Sequence, residues 1–183
     1  MRAYAAASST TASYTAILNA ATAGLTDKPA RSTTENYRDL LSQIRVLDPV
    51  PAWTAALTPM PRLKVAPKHQ LVDPAIAARL LGLNAHGLLG GIPGAGESLG
   101  QLFESLATLC VRADAISVDA AVGHLRTRNG DHEVDLVVED PEARVVGIEV
   151  KLAREVEDRD VQHLCWLRDR IGERFAAGVV LTT

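Results

Sequence analysis

The sequence predicts an α/β protein of the α+β kind, in which a helical N-terminal module precedes a domain with the element order α, β, β, β, α, β. Three observations support this class. Two N-terminal segments repeat apolar residues at helical spacing, three later runs read as strands, and a further helix-like segment precedes a last apolar strand. With 183 residues and 47% hydrophobic content, the chain can bury one good core or two small ones.

The N-terminal region contains two segments with the apolar period of an amphipathic helix. SYTAILNAATAG, residues 13–24, repeats apolar residues at i, i+3, i+4 and i+7 before Gly24, a residue that favours a helix stop. STTENYRDLLSQI, residues 32–44, has the same period, and Ser32 with Glu35 forms the pattern of a capping box. These segments predict two helices joined by a turn.

A proline-rich stretch with strand-favouring residues follows, over residues 46–73. Its prolines confine any strands to short edge pieces, so we expect a two-stranded wing in which Trp53 and Met60 serve as packing residues. Residues 1–70 therefore predict a winged helix-turn-helix module.

Such a module contacts DNA through its second helix, whose N-terminal part enters the major groove. No aromatic or basic cluster reinforces this interpretation, and the alternative is an interdomain or dimerisation module. The net charge of −3 divides unevenly: residues 1–70 carry +4 and residues 71–183 carry −7, which is compatible with a basic module that faces nucleic acid. The expected DNA contacts are Arg31, Thr33, Thr34 and Asn36, with Arg38 nearer the backbone.

GIPGAGES, residues 91–98, has the glycine spacing of a phosphate-binding loop. Glu97 stands where that loop needs a lysine, so a carboxylate would repel the polyphosphate that the loop should neutralise. We therefore expect no ATP binding. Residues 71–97 are instead interpreted as a short helix, PAIAARLLGLN, and a Gly/Pro hinge, after which Ser98 and Gln101 form the capping box of the next helix.

The predicted helix after this hinge, SLGQLFESLATLCVRA, carries one carboxylate, Glu104, on a flank of small residues. That flank can approach a sheet closely. The apolar stripe expected to face inward consists of Leu99, Leu102, Phe103, Leu106 and Cys110.

Two strand-like runs, HEVDLVVE and GIEVKL, each place charged residues on one face. Alternation puts Asp135 on one face of the first run, and Glu149 with Lys151 on one face of the second. If the runs pair across the DPEA turn, the two carboxylates lie on adjacent strands, close enough to share a divalent cation, and the helix with Glu104 can cap that face.

Carboxylate oxygens are the ligands that Mg²⁺ prefers, and Mn²⁺ accepts the same set. Such a metal lowers the pKa of an attacking water, while Lys151 orients this water or stabilises the charge that develops on phosphorus. The pattern therefore suits hydrolysis of a phosphodiester.

The EVDLVV and GIEVKL motifs, with a helical Glu104 before them and a helix containing Gln162 after them, resemble the PD-(D/E)XK nuclease superfamily and its restriction-endonuclease-like fold. Over nearly its whole length, the chain is similar to the C-terminal region of a prokaryotic AAA-type ATPase family of uncharacterised function. The resemblance implies that Asp135, Glu149 and Lys151 are metal-binding and catalytic residues, that Glu104 is the helical carboxylate, and that Gln162 matches more weakly.

In that family a P-loop ATPase domain precedes a winged helix and a nuclease-like domain, and we expect this chain to lack that ATPase domain. We therefore expect DNA, a separate ATPase domain or a second copy of the chain as partner. The expected boundaries are 1–70 for the winged module, 71–97 for the helix and hinge, and 98–183 for the nuclease-like domain. The alternative is a binding or assembly module on a nuclease scaffold that has lost its activity.

The remaining polar and sulfur residues predict little further chemistry. Cys110 and Cys165 lie in apolar, helix-like surroundings without a CxxC partner, so we expect buried, reduced thiols. His132 falls at a turn and is expected to be exposed. No apolar run is long enough for a membrane span and no charged-then-apolar leader is present, so the expected location is the cytoplasm.

Overall fold

The computed structural model describes residues 1–54, 66–127 and 129–183. Its helices are α1 (Arg2–Ala5), α2 (Tyr14–Ala21), α3 (Arg31–Gln43), α4 (Pro74–Leu81), α5 (Ala85–Leu89), α6 (Ala95–Ile116) and α7 (Asp158–Ile171). Its strands are β1 (Ala121–Arg126), β2 (Glu133–Glu139), β3 (Val145–Val150) and β4 (Phe175–Leu181). From α6 onward the order is α, β, β, β, α, β, which confirms the mixed α/β class and the predicted element order.

The chain divides into two compact units, and each is built from two stretches of sequence. Unit 1 comprises Met1–Pro49 and Lys68–Ser105, and unit 2 comprises Val50–Pro67 and Leu106–Thr183. This division falls after residues 49, 67 and 105. It does not test the sequence domains, whose boundaries at residues 70 and 97 stay predictions. Residues 55–65 of the expected wing, with Met60, lie outside the described residues; in its described part, Leu47 and Leu71 form an isolated antiparallel bridge.

Unit 1 has a small apolar core around a buried histidine. His69 is fully buried, and its Nε2 lies 2.7 Å from the carbonyl oxygen of Ala12, while its Nδ1 lies 3.3 Å from the Tyr4 hydroxyl. Because a carbonyl only accepts hydrogen bonds, Nε2 carries the proton and Nδ1 accepts from Tyr4. The apolar residues of this core are Tyr4, Ala5, Leu47, Leu71 and Ala77.

Unit 2 is organised around a sheet with the strand order β1-β2-β3-β4. The pairs β1–β2 and β2–β3 are antiparallel, as the sequence predicts, whereas β4 runs parallel to β3. A parallel return needs a crossover, and α7 provides it. This helix begins at Asp158, with a capping box between Glu157 and Asp160.

Helix α7 packs very closely on β3 at Gly147. A Cβ atom at this position would lie 2.9 Å from Cδ2 of Leu164 and 3.2 Å from Cδ2 of Leu167. A side chain at this position would therefore force at least the methyl group of Leu164 to shift. The buried apolar residues of unit 2 are Trp53, Leu125, Val134, Val137, Val145, Leu164, Leu167 and Ile171.

Trp53 is a packing residue of this core, as expected, and it also donates a hydrogen bond. Its indole Nε1 lies 2.6 Å from Oε2 of Glu139 at the end of β2. The other oxygen of Glu139 accepts from Arg174 at 2.5 Å, and Arg174 also donates to the carbonyl of Ala143. The carboxylate of Glu139 thus links the segments around Trp53 and Arg174, which are distant from each other in sequence, to β2.

Two predicted helix starts are wrong. Helix α3 begins at Arg31 after Ala30, without a side-chain cap, so Ser32 and Glu35 lie inside the helix and form no capping box. Helix α6 begins at Ala95, so Ser98 is also inside the helix and does not cap it. In both cases the helix extends N-terminally past the residue with capping chemistry, because backbone hydrogen bonds continue there.

The inward face predicted for α6 is also wrong in its C-terminal part. Cys110 is exposed and Leu106 is 47% exposed, whereas Ala107 and Thr108 are buried. The expectation of buried thiols fails for Cys165 too, since it is exposed on α7. Small side chains, which permit close packing, therefore occupy the buried face of α6.

No helix in the described part of the chain is both long and apolar enough to cross a membrane.

The burial of His69 predicts a pH-dependent stability. Burial lowers its pKa, the hydrogen bond to Ala12 raises it by less, and Arg38 lowers it further. The unfolded state therefore binds the proton more tightly. The contribution of neutral His69 to the free energy of unfolding is present above the unfolded pKa of about 6.5 and is lost as the pH falls below it. We expect the urea midpoint of the wild type to fall between about pH 7.5 and pH 5 more steeply than that of His69→Gln. His86→Gln, at an exposed histidine, is the control, and equal slopes for His69→Gln and wild type would contradict the assignment.

Substituting Gly147 tests the close packing of α7. Gly147→Ala should lower the free energy of unfolding by about 1–3 kcal/mol, because the added methyl group overpacks the contact with Leu164 and Leu167. Gly100→Ala is the control: nothing lies within 4 Å of its added Cβ, so better helix propensity should stabilise the protein by up to about 1 kcal/mol. Urea denaturation measures both, and an unchanged midpoint for Gly147→Ala would show that the contact is not tight.

Candidate functional site

Asp135 and Glu149 lie on adjacent antiparallel strands, as the sequence predicts. Leu136 pairs with Ile148, and the same register places Asp135 opposite Glu149. The two strands are also linked through a side chain, because Oδ2 of Asp135 accepts from the backbone N–H of Val150 at 3.0 Å. Both carboxylates are on the sheet face that carries Gly147 and is covered by α7.

Lys151 completes this group of charges, which we call the carboxylate cluster (Asp135, Glu149 and Lys151). Its Nζ lies 3.1 Å from Oε2 of Glu149, a side chain that is only 4% exposed. Burial lowers the pKa of Lys151, but Glu149 first and then Asp135 and Asp160 raise it by more, so the net shift is upward. Lys151 is therefore a cation at neutral pH and has no lone pair with which to take a proton from water.

Glu104, the fourth expected catalytic residue, belongs to unit 1 and is part of an ion pair. Its Oε1 lies 2.9 Å from Nζ of Lys68, and the side chains are 17% and 2% exposed respectively. Beside them Ser105 donates to Gln70 at 2.6 Å, and Gln70 donates to Ser9. Unit 1 thus holds Glu104 in a largely buried polar network, and a part for Glu104 in the carboxylate cluster stays a prediction.

Sequence reasoning missed a second group beside the carboxylate cluster, the histidine pair (His132 and His163). Their Nδ1 atoms are 3.4 Å apart, and the His132 ring stacks on Trp166 with centroids 4.1 Å apart and an angle of 11°. The expectation of an exposed His132 is therefore wrong, because the indole covers one face of its ring. The helical spacing of Asp160, His163 and Leu167 was the available signal, since it puts His163 on the side of α7 that packs on the sheet.

Burial lowers the pKa of His163, and its electrostatic interactions with His132 and Lys151 lower it further. Glu133 and Asp135 act in the opposite direction but do not reverse the shift. His163 is accordingly neutral at pH 7, and the histidine pair and the carboxylate cluster influence each other electrostatically.

The carboxylate cluster fits Mg²⁺ in the chemistry of its donors. Asp135 and Glu149 supply hard oxygen atoms, and Mg²⁺ is commonly held by one or two carboxylates while it keeps several waters. No group of three or more His, Cys, Asp or Glu side chains arranged to hold a metal occurs among the described residues. A metal here would therefore take its other ligands from water and substrate.

The residues expected to contact DNA lie on or near the start of α3, and its two arginines already have partners within unit 1. Arg31 pairs with Glu35 at 2.8 Å, and Arg38 pairs with Asp39 and also lies 4.4 Å above the ring of Tyr14. Thr33 and Asn36 are exposed. Thr34 and both arginines line a cavity of about 470 Å³ beside α2 and α3.

Comparison with known protein families divides the chain in two. Residues 99–183 match a domain of unknown function, DUF4143, which is found in AAA-ATPase-associated proteins. Residues 1–87 match a second domain of unknown function, DUF8612. Searches against curated proteins and against solved structures found no significant match.

The ion pair between Glu104 and Lys68 predicts that Glu104 contributes to stability. Glu104→Gln removes the charge that compensates a buried ammonium and should lower the free energy of unfolding by about 1.5–3 kcal/mol. Asp114→Asn, at an exposed position of the same helix, should change it by less than about 0.5 kcal/mol. Chemical denaturation of both variants checks this, and equal midpoints would mean that the pair adds no stability.

Proposed function

We propose that this chain carries a Mg²⁺-dependent nuclease-like domain that hydrolyses phosphodiester bonds, for which Mn²⁺ can substitute, and that its N-terminal module brings this domain to DNA. The supporting observation is the register of β2 and β3, which pairs two carboxylates next to a lysine. The resemblance of the EVD and EVK motifs to the PD-(D/E)XK nucleases supports the same chemistry. A separate ATPase domain or a second copy of the chain is the partner in this proposal.

In this proposal Asp135 and Glu149 hold the cation, which supplies a water of lowered pKa when bound. Asp135 is already oriented in the site, because its Oδ2 is fixed by the N–H of Val150. Glu149 is oriented by Lys151 in the same way. Such fixed ligands lose little conformational entropy on binding, which favours a productive geometry.

Lys151 stabilises negative charge in this proposal. The scissile phosphate gains charge on its equatorial oxygens during attack, and a protonated ammonium beside the metal ligands counteracts it. The raised pKa of Lys151 keeps that ammonium charged throughout the neutral range, because the carboxylates outweigh the effect of burial. A role as general base does not fit this charge state.

A second candidate is a binding or assembly module without catalysis, favoured by the pairing among the charges. Glu104 is bound to Lys68 and Glu149 to Lys151, so two expected metal ligands already have cationic partners inside the protein. A module of this kind would bind DNA or a protein partner without a divalent metal.

Metal titration and DNA nicking together test the proposal. We expect saturable Mg²⁺ or Mn²⁺ binding by calorimetry, and nicking of supercoiled plasmid that falls by about 100-fold or more in Asp135→Asn and in Glu149→Gln. Lys151→Met should reduce nicking by about 100- to 1,000-fold while metal binding persists, because only the stabilising charge is lost. Asp131→Asn, an exposed acid on the same hairpin, is the control and should match the wild type.

Thermal melting of each variant must first show that it folds. Nicking that survives Asp135→Asn would assign the activity to another site or to a contaminant. Wild-type protein that binds DNA, but neither binds a divalent metal nor nicks the DNA, would support the second candidate and exclude the first.

A further inference from the structure

We propose that the histidine pair, His132 and His163, is a binding site for a borderline-soft transition-metal ion of the Zn²⁺ class. This site is distinct from the carboxylate cluster in ligands and in metal preference, because imidazole suits Zn²⁺, Co²⁺ and Ni²⁺ whereas carboxylate oxygens suit Mg²⁺. The inference does not depend on nuclease activity.

The distance between the two Nδ1 atoms carries this proposal. Two nitrogens bound to one tetrahedral metal at bonds of about 2.0–2.1 Å are separated by about 3.3–3.4 Å. The observed separation is 3.4 Å, with the rings at 82° to each other. Without a metal, the same separation allows a long hydrogen bond between the two ring nitrogens. The pair is therefore spaced as two ligands of one ion.

The surroundings hold His132 in this orientation. Its ring stacks on Trp166, and its backbone N–H donates to Oγ1 of Thr127 at 3.0 Å while its carbonyl accepts from the backbone N–H of Thr127 at 2.9 Å. His163 stands on α7, a helix fixed to the sheet by Leu164 and Leu167. Both histidines are thus held by packing and hydrogen bonds of their own surroundings, which is the arrangement of a preorganised site.

Charge and access also suit a dication. Glu133 and Asp135 are near enough to favour positive charge at His163, and Lys151 opposes them in part. Both histidines are half-buried, so solvent reaches the pair. Since no third His, Cys, Asp or Glu ligand is arranged around them within the described residues, the remaining coordination positions stay open to water or to a ligand atom. With two protein ligands, the pair is one ligand short of the three that catalytic zinc sites commonly use, so we expect binding of moderate affinity.

Calorimetric titration with Zn²⁺ tests this site. The full chain should carry Cys110→Ser and Cys165→Ser, because both cysteines are exposed and thiolates are themselves zinc ligands. In this background we expect one saturable site that weakens at least about tenfold in His132→Ala and in His163→Ala. Trp166→Leu should weaken binding by about 10- to 100-fold, because the His132 ring is no longer held. His86→Ala, at an exposed histidine of α5, is the control and should bind like its parent.

Glu149→Gln separates this inference from the proposed nuclease. This variant should still bind Zn²⁺ but should no longer bind Mg²⁺. Failure of the zinc-site proposal can therefore be distinguished from failure of the nuclease proposal. If a histidine variant does not fold, the visible spectrum of Co²⁺ bound to the cysteine-free parent is the second measurement, and bands of nitrogen-ligated Co²⁺ are expected. Absence of saturable Zn²⁺ binding, binding unaffected by both histidine variants, or a Co²⁺ spectrum identical to that of the aqua ion would each overturn the inference.

Discussion

Unit 2 depends on the close approach of α7 to the sheet at Gly147. This contact lets Leu164 and Leu167 reach the apolar core, and it also brings the polar side of α7 to the charged end of β2 and β3. Because β4 can pair in parallel with β3 only after α7 has crossed over, the last strand depends on the same contact. Fold and candidate chemistry thus share one packing constraint, and a change at Gly147 affects both.

The electrostatics of the carboxylate cluster involve a competition. Lys151 and a divalent cation are both attracted to Glu149, and in this structure the ammonium is 3.1 Å from the carboxylate. A metal bound to Glu149 would therefore have to offset part of an existing ion pair. The pair can be interpreted as a resting arrangement of a metal site or as a purely structural contact, which is why the two functional candidates differ most clearly in metal binding.

Local patterns predicted much of unit 2 and less of unit 1. Strand alternation and the acidic start of α7 depend on neighbouring residues, so the element order and the pairing of Asp135 with Glu149 were accessible from sequence. The buried face of α6 was not, because apolar periodicity marked Cys110 and only tertiary packing selects the small side chains instead. Ser98 failed as a cap because helix extent depends on backbone bonding beyond it. His163 was missed, since its relation to His132 requires knowing where α7 lies over the sheet.

The interleaving of the two units along the chain limits how this protein can be divided. The segments of the two units alternate along the chain: unit 1, unit 2, unit 1, unit 2. The last boundary falls within α6, so this helix contributes residues to both units. A fragment that starts at residue 98, at the edge of the match to DUF4143, would lack Trp53, and with it a core side chain and the hydrogen-bond donor to Glu139. During synthesis on the ribosome, unit 1 likewise cannot complete its polar network until Ser105 has emerged. The two family matches therefore mark stretches of sequence that need not be able to fold separately.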